Sequence, residues 1–442
     1  MAKALRTLKY NTYGRSYLQS SEEIAMSNAN TLQVLKQCFE KIIPTEDART
    51  TINPLEFSVC LVFCYLGDST TFALEAIRRF MKAHLNKEIS RSAFWERLSR
   101  DRLKNCLRGV VAELMVTLTS SVTIGYQILK PLGVTDIWVV DSSSITLWAR
   151  AKNHFPGTRT AAGIKWHTAF NVLTGMMTWF QLTPTATHDR KCFPEVNLLK
   201  RKLVIFDLGY WDYGLLYAIE SAGGFFLSRL KSNAVIYIAE VVQGLSKQLI
   251  GQALLSLDFS HKRGNIIEVF TTKVYAGHLL RYRVIGFWNP VEKGYHWYIT
   301  NLLAAAYLMY PLYRLRWQIE LIFKACKSSL NANQIPSGDE NIIESLLLAS
   351  LAAHLSSHTL FTIGIEQVEE GQQLAMSFQR VAKVAVMLAR DFILFLLNSA
   401  QKHFDNLLHK IKLFANEMFD PNYKKRETSL MRINRLLLEG EI

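Results

Sequence analysis

The spacing of apolar residues changes along the chain, and each change predicts a different kind of structure. From about residue 20 to 130, apolar residues recur every three or four positions, as in "STTFALEAIRRFMKAH", which predicts amphipathic helices. Two such helices flank the short link "LNKEISR", with Ser90 or Ser92 as the N-cap of the second. This pattern fits a DNA-binding helix-turn-helix or, equally well, a plain helical bundle with a basic surface. The side chains that would face phosphates in the first case are Arg91, Arg97, Arg100 and Lys104.

The next part of the chain, residues 131–231, contains short apolar runs that are typical of buried strands. The run Ile137–Val140 is followed directly by Asp141, and "KLVIFDLG" places Asp207 at the end of a second strand. "AGIKWHTAFNVLTG", "MMTWFQLTP" and "GFFLSRLK" predict further strands, whereas "DRKCFPEVNLLK" and "YWDYGLLYAIESAG" predict helices. This order predicts an α/β fold with a mixed sheet.

A second β-rich segment and a second helical region follow. Residues 232–300 contain four strand-like runs separated by loops such as "HKRGN" and "NPVEKG". Residues from about 331 to 442 are predicted to be helical and end in a basic tail. The apolar run "IIESLLLASLAAHLSSHTLFTIGI" contains Glu344, His354 and His358, so we expect a buried helix rather than a membrane span.

The stretch "PLYRLRWQIELIFKACKSSL", residues Pro311 to Leu330, predicts one amphipathic helix. Its polar stripe consists of residues at offsets 0, 3, 7 and 14, which fall within roughly 60° of one another: Tyr313, Arg316, Glu320 and Lys327. Its apolar side consists of Leu315, Ile319, Ile322 and Cys326. One interpretation is a solvated charged face with Arg316–Glu320 and Glu320–Lys324 pairs. The other is a cationic stripe around a functional carboxylate.

Composition and charge narrow the choice of partners. The chain has 442 residues, of which 49% are hydrophobic, and 51 Lys and Arg exceed 37 Asp and Glu, for a net charge of +14. Such a charge favours a polyanion, either nucleic acid or an anionic membrane surface. The start of the chain has no apolar signal segment, and its six cysteines include no C-x-x-C pair. These features predict a reducing, cytoplasmic location.

Three carboxylates lie where a catalytic metal site could form. Adjacent strands would bring Asp141 and Asp207 together, and a helix packed on the sheet would add Glu320. Carboxylate clusters of this kind bind Mg²⁺, and two such ions can catalyse chemistry at a phosphodiester. A carboxylate at a strand end is, by itself, more often a cap or turn residue than a metal ligand. Asp189, predicted as an N-cap, and Asp212, predicted inside a helix, are rival carboxylates.

Two histidines near these carboxylates, His167 and His188, could be metal ligands or bases. No partner ligands follow at zinc spacing, so ordinary structural hydrogen bonding is the favoured interpretation.

The spacing Y-x2-R-x3-E-x6-K in the Pro311–Leu330 stretch resembles the signature of bacterial insertion-sequence transposases of family four, a branch of the DDE transposases. The blocks "DSSSITL" and "DLGYW" are similar to the family's two Asp blocks. Between them, "KWHTAFNVLTG" and the His188-Asp189 pair resemble the family's K-x-H stretch. The resemblance covers about residues 137 to 330.

The resemblance implies a ribonuclease-H-like catalytic core that is interrupted by a β-rich insertion. The implied metal ligands and catalytic residues are Asp141, Asp207 and Glu320, with Mg²⁺ as cofactor and Mn²⁺ as a substitute. The implied DNA-binding residues are Tyr313, Arg316 and Lys327. Trp297 is a further candidate, because a tryptophan late in the insertion of relatives stacks near a flipped base. Its spacing is offset by one residue, so Trp288 or a core role for Trp297 stays open.

With this resemblance, the domains are predicted as a helical DNA-binding region, a first part of the core, a β-rich insertion, a second part of the core with the Glu320 helix, and a helical C-terminal region. Their boundaries are 1–130, 131–231, 232–300, 301–340 and 341–442.

The implied activity is cut-and-paste transposition, typically through a hairpin at the transposon end. The implied partners are double-stranded DNA with terminal inverted repeats, target DNA and a second copy of the chain in a homodimer on DNA, with no membrane. The alternatives are an inactive transposase-derived DNA-binding protein and a metal-dependent nuclease without strand transfer. A membrane-surface protein would explain the charge but not the ordered acidic motifs.

Overall fold

One sheet of ten strands organises the part of the chain that the structure describes. The computed structural model describes residues 8–11, 28–44, 50–64, 74–118, 125–328 and 335–440. The strands are β1 (Leu8–Asn11), β2 (Asp136–Thr146), β3 (Gly163–Asn171), β4 (Met177–Pro184), β5 (Lys202–Phe206), β6 (Phe225–Arg229), β7 (Tyr237–Gln243), β8 (Ile267–Tyr275), β9 (His278–Asn289) and β10 (Gly294–Thr300).

The sheet is mixed, with the order β1-β4-β3-β2-β5-β6-β10-β9-β8-β7. Strands β2, β5 and β6 are parallel neighbours, whereas β3 and β4 run antiparallel to their partners. The β-rich segment after β6 continues this sheet, because β10 pairs with β6 and leads on to β9, β8 and β7. The predicted α/β class with a mixed sheet is confirmed.

Helices cover the sheet and extend the molecule at both ends of the chain. They are α1 (Asn28–Ile42), α2 (Pro54–Cys64), α3 (Leu74–Leu85), α4 (Arg91–Ser99), α5 (Asp101–Leu118), α6 (Leu129–Leu132), α7 (Tyr213–Ser221), α8 (Met309–Arg314), α9 (Trp317–Ser328), α10 (Glu340–Ile365), α11 (Glu370–Gln373), α12 (Phe378–Met387), α13 (Ala389–Leu397), α14 (Gln401–Leu413) and α15 (Ser429–Gly440). Successive side chains of a strand point to opposite faces. Alternate residues of β2 and β5 therefore enter two separate cores, one of which includes α9 and α10.

The N-terminal helices differ in detail from the prediction. Ser90 is the N-cap of α4, but the predicted long helix after it is two helices, since α4 ends at the extended residue Arg100. Of the side chains expected to face phosphates, Arg91 and Arg100 are mostly exposed. Lys104 is only 11% exposed and lies 3.7 Å from Glu344, so it joins α5 to α10 instead of facing solvent.

The apolar helix α10 is the centre of the helical layer. It is the one helix among the described residues that is long and apolar enough to cross a membrane, and it is completely buried in the molecule. His354 and His358 lie inside this core, and the His358 Nε2 atom is 2.6 Å from the Thr174 carbonyl oxygen at the β3–β4 turn. The expectation of a buried helix is therefore supported.

Candidate active site

Asp141 and Asp207 lie side by side at one edge of the β2–β5 pair. The parallel register ends with Val140 opposite Phe206, and each Asp is the next residue of its strand. Neighbouring strands are about 4.8 Å apart, so the two carboxylates project from adjacent backbones. By alternation, both point to the face of the sheet on which α9 packs. Asp141 lies inside β2 and not after its end, since β2 continues for five residues along β3.

The predicted single helix from Pro311 is two helices, and its last residues, 329 and 330, lie outside the described residues. At the junction, Leu315 N–H bonds to Leu312 and Arg316 N–H to Tyr313, at a spacing of three residues instead of four. This tighter turn rotates later side chains relative to earlier ones. The predicted stripe is consequently divided: Tyr313 turns into the core, whereas Arg316 turns toward β2.

Arg316 joins the two candidate acids that come from different elements. Its Nη1 donates to Asp141 Oδ2 at 2.9 Å and its Nη2 donates to Glu320 Oε1 at 2.5 Å. The intrahelical Arg316–Glu320 pair was expected of an ordinary charged face, but the bond to a strand 175 residues earlier was not. The side chains are only partly accessible, at 17% for Arg316, 18% for Asp141 and 33% for Glu320. The stripe is therefore not a solvated face at this position.

Packing holds α9 against the sheet at this point. The ring of Phe323 meets the ring of Trp166 on β3 edge-on, with 5.4 Å between their centroids. The predicted apolar side of the helix is buried as expected, including Leu315 and Ile319 at 0% exposure. This apolar contact holds α9 against β3 and so sets the position of Glu320 relative to Asp141.

The electrostatics of Asp141 are those of a crowded acidic site. Burial raises the pKa of Asp141 to about 6, and the charges of Asp207 and Glu320 act in the same direction. A hydrogen bond from the Ser142 N–H and the charge of Arg316 oppose this rise. A cation that supplies more positive charge than one guanidinium would favour the ionised form further.

An open cavity of about 470 Å³ lies over these residues and is lined by Asp141, Ser142, Ser143, Glu320, Phe323, Lys324 and Lys327. Lys327 donates to the Ser144 carbonyl oxygen at 2.7 Å, which ties the end of α9 to the far part of β2. Lys324 is exposed at the rim. Both lysines give the mouth of this acidic cavity a positive border.

Tyr313 and Trp297 lie farther into the protein than their predicted role suggests. Tyr313 is 9% exposed and its ring packs against Tyr298 at 5.0 Å. Burial raises the pKa of Tyr313, and the charge of Asp207 acts in the same direction. Trp297 is half-buried on β10, between Phe259 at 5.0 Å and Tyr295 at 5.5 Å. The DNA-binding roles of both residues stay predictions.

The three candidate carboxylates are chemically suited to bind a divalent cation, but their spacing in this structure is not that of a metal site. Carboxylate oxygens are the ligands that Mg²⁺ prefers. Within the described ranges, however, no group of three His, Cys, Asp or Glu side chains is arranged to hold a metal ion. Between Asp141 and Glu320, the Arg316 guanidinium bonds to both carboxylates.

The rival carboxylates have other partners. Asp212 is the N-cap of α7 and not part of a helix interior, and it pairs with Arg190. Asp189 is not an N-cap, since His188 caps the short 3-10 turn Asp189–Lys191; the predicted helix over this stretch is 3-10 turns.

Asp189 also accepts bonds from Lys165 Nζ at 2.8 Å and Ser142 Oγ at 3.2 Å, directly beside the candidate site. Our sequence analysis did not single out Lys165 or this pairing. The only available signal was the K-x-H and His-Asp block.

The histidines are structural, as favoured. His167 is completely buried, with its two ring nitrogens 3.1 Å from the Tyr210 hydroxyl and 3.0 Å from Thr183 Oγ1. Burial lowers the pKa of His167 to about 4, so the ring is neutral.

Taken together, two aspartates lie on adjacent parallel strands of an α/β core, and a glutamate lies on a helix packed over them. The chain belongs to the transposase DDE domain family, whose model matches residues 133–356, half of its 442 residues. The sequence-based recognition of a DDE transposase is thereby confirmed. The assignment to family four is compatible with this result and stays a prediction.

The relatives of the chain are transposases of bacterial insertion sequences. It is 24% identical to the transposase for element IS1151 of Clostridium perfringens, over 67% of this chain and 72% of the relative. It is 24% identical to those for IS231E of Bacillus thuringiensis subsp. finitimus and IS231F of subsp. israelensis. These matches cover 63% and 51% of this chain, and the chain spans 65% and 56% of the two relatives.

Proposed function

We propose that the chain is a cut-and-paste DNA transposase that cleaves transposon ends and joins them to target DNA. The observation that carries the proposal is the meeting of Asp141, Asp207 and Glu320 on one face of the β2–β5 edge, inside the family-matched segment. The strand order β4-β3-β2-β5-β6, with only β3 reversed within it, supports a ribonuclease-H-like core.

Asp141, Asp207 and Glu320 would hold Mg²⁺ or Mn²⁺, which would activate the attacking oxygen and stabilise the leaving oxygen at the scissile phosphodiester. In the protein alone, Arg316 pairs with two of these carboxylates, Asp141 and Glu320. If a metal ion took over this pairing, the planar guanidinium of Arg316 would be free to bind phosphate oxygens in pairs. Lys327 and Lys324 at the cavity border would hold the neighbouring DNA backbone.

The remaining parts of the proposal concern partners and location. The exposed side chains of Arg91 on α4 and Arg100 at its C-cap, together with the net charge of +14, suit phosphate contacts by the predicted DNA-binding region. Pairing two transposon ends needs two copies of the chain, so we expect a homodimer on DNA in the bacterial cytoplasm, associated with the nucleoid.

The test is to incubate the purified protein with Mg²⁺, a target plasmid and DNA that carries the inverted repeats next to its own gene. We expect cleaved ends and joined products, and no product with Glu320→Gln despite retained binding. Denaturing gels would reveal a hairpin end. Binding without cleavage in either Mg²⁺ or Mn²⁺ would favour the inactive DNA-binding protein. Cleavage without joined products would favour a nuclease.

A further inference from the structure

A polar network lies on the opposite face of β2 from the candidate acids. Ser142 follows Asp141 on the strand, and its side chain therefore points away from the α9 face. Its Oγ donates to Asp189 Oδ1 at 3.2 Å, and Lys165 Nζ donates to the same oxygen at 2.8 Å. Lys165 is opposite Ser144 in the β2–β3 register, so it lies on the same face as Ser142.

The same network reaches the turn that carries Asp207. Asp189 Oδ2 lies against Gly209, where an added Cβ would stand only 3.3 Å from it. The next residue, Tyr210, donates its backbone N–H to the Asp207 carbonyl oxygen at 3.1 Å. Its hydroxyl contacts His167 Nδ1 at 3.1 Å, and that nitrogen is 3.8 Å from Asp189 Oδ1. One carboxylate thus lies beside Ser142, which follows Asp141 inside β2, and beside Gly209 in the turn after Asp207.

The Lys165–Asp189 pair is shielded enough from solvent to hold a fixed position. The Lys165 and Asp189 side chains are 13% and 27% exposed, and Lys165 also donates to the Thr187 carbonyl oxygen at 3.0 Å. His167 is completely buried and neutral, so it connects Tyr210 to this region without adding charge. A partly buried lysine without its carboxylate would lose a charge-assisted bond that solvent could replace only in part.

We propose that Asp189, held by Lys165, is a positioning residue that sets the separation of Asp141 and Asp207 and thereby the affinity of the site for divalent cations. The inference rests on the proposed function, because it assigns these two aspartates to a metal site. Groups that orient metal ligands from behind typically change metal affinity about 10- to 100-fold when they are removed.

The experiment compares Asp189→Asn with Asp136→Asn. Asp136 is a partly buried carboxylate at the other end of β2, where it bonds to Trp138 and Asn171, so its loss tests general damage to the strand. Mn²⁺ binding to each folded protein is measured by electron paramagnetic resonance. The Mn²⁺ concentration for half-maximal cleavage is measured on pre-bound transposon ends, and thermal melting reports stability.

We expect Asp189→Asn to weaken Mn²⁺ binding and to raise the half-maximal concentration by about tenfold or more. Asp136→Asn should lower the melting temperature and leave both Mn²⁺ values unchanged. Lys165→Met should behave like Asp189→Asn, whereas Lys165→Arg keeps the charge and should restore most of the affinity. If Asp189→Asn does not fold, the comparison of Lys165→Met with Lys165→Arg tests the same inference.

Several results would overturn the inference. Mn²⁺ values for Asp189→Asn equal to those of the unaltered protein would overturn it alone and leave the proposed function intact. The inference alone would also be overturned if Lys165→Met kept normal Mn²⁺ values but lowered the salt dependence of DNA binding by about one unit. Lys165 would then be a phosphate contact. An unaltered protein that neither binds Mn²⁺ nor cleaves DNA would overturn both proposals.

Discussion

The two carboxylates of β2, Asp136 and Asp141, have opposite kinds of partners. Asp136 accepts bonds from the Ile137 N–H, the Trp138 indole and the Asn171 amide, at 2.8 to 2.9 Å. Asp141 has the N–H of its own neighbour and the guanidinium of Arg316, which comes from a distant helix junction, and Asp141 itself lines an open cavity. A carboxylate bound by neutral donors of its own sheet is committed to the fold. A carboxylate that is balanced by a cationic side chain from another element could exchange that partner for a metal ion.

The largest expected effect is a difference in cleavage between variants of Asp141 and Asp136. Asp141→Asn should abolish cleavage of transposon ends, because it removes a proposed metal ligand while it keeps the shape of the side chain. Asp136→Asn should lower the free energy of unfolding by about 1–3 kcal/mol, the usual effect of disturbing a buried hydrogen bond, and leave the cleavage rate of the folded protein unchanged. Single-turnover cleavage and denaturant unfolding measure the two effects. Equal cleavage by both variants would contradict the comparison.

A smaller effect is expected when the guanidinium of Arg316 is removed. Arg316→Ala should slow single-turnover cleavage of pre-bound ends by about 10²-fold, because misplacing the reacting phosphate has an effect of this size. The matched control is Arg314→Ala, two residues away on the exposed side of α8, which should cleave at the normal rate. In a DNA-free titration, Arg316→Ala should bind Mn²⁺ more tightly, since no guanidinium competes for Asp141 and Glu320. Normal cleavage by Arg316→Ala would indicate that the polar stripe around Glu320 is an ordinary charged face.

The third effect extends the comparison to buried groups that serve only the fold. Burial lowers the pKa of both His354 and His358 to about 4, from an ordinary value near 6.5. Because the unfolded chain binds these protons more tightly, stability is complete above pH 6.5 and falls as the pH approaches 4. Each histidine should account for about 2 kcal/mol of lost unfolding free energy at pH 5.

Denaturant unfolding at pH 7 and pH 5 tests this, with His358→Gln as the variant that should show a smaller loss. Other titrating groups also contribute to the pH dependence, so the informative quantity is the difference between the two proteins. An identical pH dependence in both would contradict the assignment of His358 as a neutral buried group.

The smallest effect concerns DNA affinity. Binding of transposon ends should weaken with salt, with log K falling by about 0.9 per phosphate contact for each unit of log salt. Lys327→Ala should reduce this slope by about one unit and weaken binding only modestly, while it slows cleavage more strongly. Filter binding at several salt concentrations measures the slope. An affinity that does not change with salt would remove DNA as the reason for the net charge of +14.

Sequence patterns predicted the strands and helices of the site more accurately than the contacts between their side chains. The run before Asp141, the "KLVIFDLG" strand and the apolar side of the Glu320 helix all form as expected, since each is a local pattern with one buried face. The break at Leu315–Arg316 was missed, because a 3-10 turn and an α-helix have almost the same apolar spacing over four residues. Asp189 was assigned to a helix end for a similar reason: its local context did not reveal Lys165.

By itself, the sequence determined the α/β class, the order of the two aspartates and the glutamate, and membership in the DDE transposase family. These properties depend on local periodicity and on motif spacing, both of which are linear. Only the tertiary structure decided that Arg316 joins Asp141 to Glu320, that Tyr313 is buried and that Asp189 is bonded to Ser142 and Lys165. Those contacts depend on the parallel register of β2 and β5 and on how α9 packs over them, and no local pattern encodes a distance between residues far apart in the chain.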